Sequence, residues 1–143
     1  MRENRTALIT AGASGLGLVI AETLSKRGVA IHIFDQDESA ISEAQERLPN
    51  ASFTAGDAAS HQAVEEMFKN FTASEFELDY LINNVGIAGP AGVIDDIEPT
   101  DWDRTLAVNL SSAFYVTRLA LPLLRATRGV IINISSTAGL FGC

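Results

Sequence analysis

Short apolar runs alternate with helical patterns along the whole of this 143-residue chain. Five of the runs have the length of strands, namely residues 7–9, 29–34, 51–55, 80–82 and 130–134. The runs are mostly continuous rather than strictly alternating, which is typical of strands that are covered on both faces. Strands separated by helices predict right-handed crossovers and a parallel sheet. The sequence therefore predicts an α/β fold, a doubly wound parallel sheet with helices on both faces.

The helical patterns between these runs cover residues 16–24, 37–48, 60–71 and 101–126. Ser60 is the expected N-cap of the third helix, because its hydroxyl can accept a hydrogen bond from a free backbone N–H group. Pro122 lies within the fourth pattern and predicts a kink or an early end of that helix.

The composition describes one ordinary globular domain over residues 1–143, with 47% apolar and 20% charged residues. Its net charge of -8 argues against a nucleic-acid partner and against an anionic membrane surface. The longest apolar stretches are far shorter than the roughly 20 residues that a membrane span needs. The lone Cys143 cannot form an internal disulfide, and His32 and His61 have no partner at metal-ligand spacing. We therefore expect a cytoplasmic protein with no bound metal.

A glycine-rich stretch, residues 12–17, follows the first strand and opens the first helix. Free N–H groups and the positive end of the helix dipole point out of such a turn and favour a bound phosphate. Its glycines let the backbone approach a pyrophosphate and let the helix pack closely on the strand. The alternative is a turn without a ligand, but the placement between a strand and a helix favours a dinucleotide.

Asp35 stands at the end of the second strand, 18 residues after Gly17. A carboxylate at this position accepts hydrogen bonds from both hydroxyls of an adenine ribose and repels a 2′-phosphate. No arginine or lysine lies between Gly12 and Leu24 to bind that phosphate. The sequence therefore favours NAD over NADP, the alternative being that Asp35 is a solvated loop residue.

Further motifs follow one another in a fixed order along the chain. They are Thr10-Ala11-Gly12-Ala13-Ser14-Gly15-Leu16-Gly17, Gly56-Asp57-Ala58, Asn83-Asn84-Val85-Gly86, Trp102-Asp103 with Val108-Asn109-Leu110, and Ile132-Asn133-Ile134-Ser135-Ser136 followed by Ala138-Gly139. Together they resemble the motifs of the short-chain dehydrogenase/reductase family over nearly the whole chain. Ala11 replaces the first glycine of the family turn and Val85 replaces an alanine, and we expect both changes to be tolerated.

The resemblance implies a Rossmann-like sheet with strand order 3-2-1-4-5 and a bound nicotinamide dinucleotide. The cofactor residues that it implies are Gly12, Ser14, Gly15, Leu16 and Gly17 for the pyrophosphate, Asp35 for the adenine ribose, Asp57 and Ala58 for the adenine ring, and Asn84 and Gly86 for the nicotinamide side. By the same resemblance, the full-length protein is a homodimer or homotetramer that associates through its long helices.

The resemblance also implies catalytic residues. Ser136 corresponds to the serine that hydrogen-bonds the substrate oxygen, and Asn109 to the asparagine at a helix kink where a water-linked proton relay ends. The family also uses a tyrosine followed four residues later by a lysine, but neither Tyr80 nor Tyr115 has such a lysine. We therefore expect these residues to be the N-terminal half of a larger domain, cut just after the catalytic serine and inactive alone.

The function that this resemblance implies is hydride transfer between a nicotinamide and a small carbonyl or secondary alcohol substrate. Oxoacyl thioesters, sugars and polyols, and steroids are all compatible substrate classes. One alternative is a non-catalytic dinucleotide-binding module, although Ser136 and Asn109 would have no evident use in a pure binder. Another is a methyltransferase of related fold, which would not explain the Asn-Asn-Val-Gly and Ile-Ser-Ser segments.

Overall fold

A computed structural model describes residues 5–73 and 77–137 of the chain. Ala138, Gly139 and Cys143, which were named above, lie outside the described residues. Within the described part, five strands form one sheet: β1 Thr6–Thr10, β2 Ala30–Asp35, β3 Ser52–Ala55, β4 Tyr80–Asn83 and β5 Val130–Asn133. Their order is β3-β2-β1-β4-β5, and each neighbouring pair is parallel. The predicted Rossmann-like fold and strand order are therefore confirmed.

The helices of the described part are α1 Gly15–Ser25, α2 Glu38–Arg47, α3 His61–Ala73, α4 Pro99–Leu106 and α5 Ser112–Thr127. A π-helical turn, Ala107–Ser111, joins α4 to α5, and a short 3-10 turn, Ile94–Asp96, precedes α4. Asp37 caps α2 by accepting hydrogen bonds from the backbone N–H groups of Ser39 and Ala40, each at 3.0 Å. Ser60 accepts a hydrogen bond from the Ala63 N–H at 3.3 Å, so the predicted cap of α3 is confirmed.

Two apolar cores cover the two faces of the sheet. Leu8 packs with the residues of α3 and α5, whereas its neighbours Ala7 and Ile9 pack with those of α1 and α2. Successive side chains of a strand point to opposite faces of a sheet, so both faces of β1 need apolar residues. This two-sided burial explains the continuous apolar runs of β1, β2 and β4, whereas β5 is largely exposed.

The early end predicted at Pro122 is wrong, because α5 continues past it to Thr127. A proline inside a helix removes a single backbone hydrogen bond at its own nitrogen. Leu124, one turn from the end of α5, is buried in the core and holds the last turn on the sheet.

The continuous helical segment Pro99–Thr127 meets two simple criteria for crossing a membrane. It has 29 residues, and its most apolar window has a mean hydropathy of 1.2. Val116, Ala120 and Leu124 of this segment are nevertheless buried in the core beside β4. One face of α5 therefore packs on the sheet of the α/β fold, whereas α4 has no buried residue.

Candidate cofactor and substrate site

The glycine-rich turn lies where β1 passes into α1, at the carboxyl end of the sheet. Ser14 is the N-cap of α1, and among the described residues its side chain makes no cap hydrogen bond. Ser14, Gly15 and Leu16 are exposed, and the first N–H groups of a helix have no partner within it. The turn therefore presents N–H donors and a positive helix end to solvent, which is the arrangement that binds a phosphate.

Gly17 occupies a position with no room for a side chain. A Cβ atom there would lie 2.3 Å from the Ala11 carbonyl oxygen and 2.6 Å from Nδ2 of Asn84. That Nδ2 donates a hydrogen bond to the same carbonyl at 2.9 Å, and the Asn84 backbone N–H donates to Thr10 Oγ1 at 3.0 Å. Asn84 thus ties the end of β4 to the turn, and the start of α1 packs directly against both.

Ala11 adopts a φ of 48°, in the left-handed region where a Cβ atom is unfavourable. We expect Ala11→Gly to raise the free energy of unfolding by about 1 kcal/mol, since glycine takes this conformation without that penalty. Thermal denaturation should show a melting temperature higher by roughly 3 °C. The buried Ala13, which has no positive φ, provides the control: Ala13→Gly should lower stability. Stabilisation by both changes would contradict the explanation.

Asp35 is buried and its carboxylate faces the glycine-rich turn. Oδ2 accepts a hydrogen bond from the Ala13 N–H at 3.0 Å, and Oδ1 accepts one from the Asp37 N–H at 3.1 Å. An ionised carboxylate has about four acceptor sites, so lone pairs are left for the hydroxyls of a ribose. The alternative of a solvated loop aspartate does not fit this burial.

A cavity of about 100 Å³ lies between the ends of β1, β2 and β4. We call it the adenine cavity after the ring that the resemblance predicts beside Asp57 and Ala58. Four of the residues predicted to bind cofactor line it: Asp35, Asp57, Ala58 and Gly86. Val85, Ile87 and Val108 give it apolar walls, and Arg104 of α4 lines it as well. No sequence motif indicates Arg104, because its place beside Asp35 depends on how α4 packs at the end of the sheet.

A second cavity, of about 500 Å³, brings the two predicted catalytic residues together. Asn109 and Ser136 both line it, beside Asn84 and Gly86. Asn109 belongs to the π-helical turn, an irregularity that is frequent at functional sites. Its Oδ1 accepts a hydrogen bond from the Ile87 N–H at 2.7 Å, and its Nδ2 donates to the Ile87 carbonyl at 2.9 Å. This pair of bonds holds the loop after β4 against the helix.

Comparison with known proteins decides the family. The sequence profile described as short chain dehydrogenase matches residues 5–143. The chain belongs to the short-chain dehydrogenase family. Among the curated members, the D-beta-hydroxybutyrate dehydrogenase of Cupriavidus necator is 37% identical over 147 residues, which cover 98% of this chain and 56% of that protein.

Solved structures of short-chain dehydrogenases have the same fold. Xylitol dehydrogenase bound to NAD+ superposes with a TM-score of 0.90 at 27% identity, over 100% of this chain and 57% of that one. Actinorhodin polyketide ketoreductase with NADPH superposes with a TM-score of 0.91 at 27% identity, with the same two coverages, 100% and 57%. This chain thus spans just over half the length of the relatives that it matches.

The residues of this member of the family fit a nicotinamide dinucleotide. The exposed N–H groups of the turn suit the pyrophosphate, and the buried carboxylate of Asp35 suits the hydroxyls of the adenine ribose. The adenine cavity lies beside Asp35, and the second cavity continues from Gly86 to Ser136. Both cavities are lined by Val85, Gly86 and Ile87, so they lie next to each other at the loop after β4.

Proposed function

We propose that the full-length protein, meaning this chain with any further residues that its gene encodes, is a cytoplasmic NAD-dependent oxidoreductase. It transfers a hydride between the nicotinamide and the carbon of a ketone or secondary alcohol. One observation carries this proposal: Asn109 and Ser136 line a cavity that shares Val85, Gly86 and Ile87 with the adenine cavity. A pure binding module would need the turn and the adenine cavity but not the second cavity with its amide and hydroxyl groups.

Each group has a separate part in this proposal. The bound nicotinamide supplies or accepts the hydride. The N–H groups of the turn hold the pyrophosphate, Ser136 orients the substrate oxygen by a hydrogen bond, and Asn109 holds the loop at Ile87 in place. A proton must reach the substrate oxygen, yet in the described part neither Tyr80 nor Tyr115 lines either cavity. We assign that proton to a tyrosine beyond residue 143, whose pKa a nearby lysine would lower from about 10.

Oxidation of NADH in the presence of a ketone tests the proposal. The full-length protein should turn over at least one member of a panel of 3-oxoacyl thioesters, ketoses and ketosteroids. Ser136→Ala should lower kcat/KM by about 100-fold or more, as loss of a hydrogen bond to the reacting oxygen does in other enzymes, while NADH binding is kept. Ser135 lines the same cavity but is not the serine that the resemblance assigns to the substrate. Ser135→Ala is therefore the matched control and should change kcat/KM little. Tight NADH binding with no turnover across the panel would favour the non-catalytic module instead.

Asp35 should set the preference for NAD, because its buried carboxylate would repel a 2′-phosphate. We expect Asp35→Ala to raise the NADP affinity relative to the NAD affinity at least about tenfold, equal to roughly 1.4 kcal/mol. Asp35→Ala also removes the acceptor of the Ala13 N–H group, and any loosening of the turn weakens NAD and NADP binding alike. The ratio of the two affinities, measured by calorimetry, therefore reports the effect of the charge. Asp37→Ala removes the same charge from the cap of α2, outside the adenine cavity, and should leave the ratio unchanged. An unchanged ratio in Asp35→Ala would refute the assignment.

We also propose that the full-length protein is a homodimer or homotetramer that associates through α4 and α5. Trp102, Leu106, Leu110 and Phe114 are spaced four residues apart along these helices and are 57%, 38%, 64% and 60% exposed. Such contiguous apolar surface marks an interface. The double change Leu110→Glu with Phe114→Glu should reduce the sedimentation mass to that of one protomer. Val19→Glu, at an exposed position of α1, should not, and an unchanged mass in the double variant would contradict the interface.

A further inference from the structure

We infer that Arg104 contacts the cofactor, with its guanidinium group stacked on the adenine ring. This inference rests on the dinucleotide site proposed above and adds a residue to it. Arg104 and Val108 are four residues apart on the continuous helical segment, so they share a face, and both line the adenine cavity. α4 thus contributes a cationic side chain, and the π-helical turn that follows it an apolar one, to the same cavity.

The side chain of Arg104 is available for a ligand. It is exposed, and within residues 5–73 and 77–137 it forms no ion pair and no hydrogen bond. A guanidinium is planar and weakly hydrated, and it stacks on aromatic faces. The neighbouring walls at Ala58, Val85 and Val108 are apolar. A flat aromatic ring that enters between these walls therefore has a cation available to cover its exposed face.

A ribose 2′-phosphate is the other group that an arginine here could bind. The same cavity, however, is lined by the carboxylates of Asp35 and Asp57. Asp35 is held by the N–H groups of Ala13 and Asp37, so its charge cannot move away from an incoming phosphate. An adenine ring carries no such charge, and the arrangement therefore favours the ring over the phosphate as the partner of Arg104.

Binding of two nucleotide probes to the full-length protein tests the inference without any turnover. AMP carries the adenine ring, its ribose and the 5′-phosphate, whereas 2′,5′-ADP adds only the 2′-phosphate. By calorimetry, Arg104→Ala should weaken both probes by the same factor, about fivefold, as expected for one cation–π contact. Arg104→Lys should recover only part of the loss, because an ammonium group does not stack. Arg125→Ala removes an exposed arginine of α5 outside the cavity and should change neither affinity.

The possible outcomes separate this inference from the proposal on which it rests. If the wild-type protein binds AMP and Arg104→Ala binds it equally tightly, the role of Arg104 is overturned and the dinucleotide site is not. A loss confined to 2′,5′-ADP would overturn stacking and assign Arg104 to the phosphate. Wild-type protein that binds neither AMP nor NADH would overturn both the inference and the dinucleotide site.

Discussion

Replacing Gly17 by alanine should abolish dinucleotide binding and destabilise the fold severely. The new Cβ would lie 2.3 Å from the Ala11 carbonyl oxygen and 2.9 Å from the Gly12 Cα, which are backbone atoms that cannot rotate away. It would also displace Asn84 Nδ2 from its hydrogen bond to Ala11. We expect a loss of about 3 kcal/mol or more in the free energy of unfolding, at the upper end for overpacked sites. Urea denaturation and NADH titration of the full-length protein measure the two effects.

Gly15→Ala is the matched control for this prediction. Gly15 lies in the same turn with a φ of 51°, but no atom lies within 4 Å of the position of a Cβ. Its replacement should therefore cost only the penalty of a left-handed backbone, about 1 kcal/mol. Equal losses of stability in Gly15→Ala and Gly17→Ala would show that backbone conformation, not the clash, limits substitution in the turn.

Acidification should destabilise the protein through His32. Burial lowers the pKa of His32 from 6.5 to about 4. The neutral ring lies 2.7 Å from Ser52 Oγ and 3.0 Å from Thr54 Oγ1, and its edge packs against Phe71. Between pH 6.5 and pH 4 the unfolded chain binds a proton at this residue that the folded chain does not. Stability is therefore full above pH 6.5 and falls as the pH drops, by about 3 kcal/mol by pH 4.

Urea denaturation of the wild type and of His32→Gln at several pH values checks this dependence. The carboxylates titrate in both proteins, so their effect on stability cancels in the comparison. His32→Gln should be less stable at pH 7, yet its stability should fall less between pH 6.5 and pH 4. His61→Gln removes an exposed histidine of α3 and should follow the wild type. If His32→Gln and the wild type lose the same stability on acidification, burial of His32 is not the cause.

Most of the fold could be predicted because its determinants are local. The continuous apolar runs identified all five strands, and in β1, β2 and β4 the burial of both faces accounts for them. Ser60 was identified as a cap from its own side chain, because a capping hydrogen bond reaches only two or three residues along the chain. Pro122 shows the limit of local reasoning: the buried contacts of Leu124 keep α5 helical past a residue that disfavours it.

The candidate site was predicted in part. Motif positions identified Asp35, Asp57, Ala58 and Gly86, and the structure places all four around one cavity. The left-handed backbone conformation of Ala11 could not be predicted from the sequence, because alanine usually avoids that conformation. Nor did any local pattern indicate that the amide of Asn109 holds the backbone of Ile87, since the partner is a main-chain group on a separate loop.

The sequence alone determined the class of fold, the strand order through its family motifs, and the turn on which a dinucleotide can bind. Only the tertiary structure decided that Gly17 and Asn84 lock the turn, and that Arg104 shares a cavity with Asp35. The physical reason is the parallel sheet. Its crossovers bring the carboxyl ends of strands that are distant in the sequence to one edge, where the surrounding loops and helices converge. Contacts at that edge depend on the three-dimensional arrangement of the elements, which no local pattern of residues records.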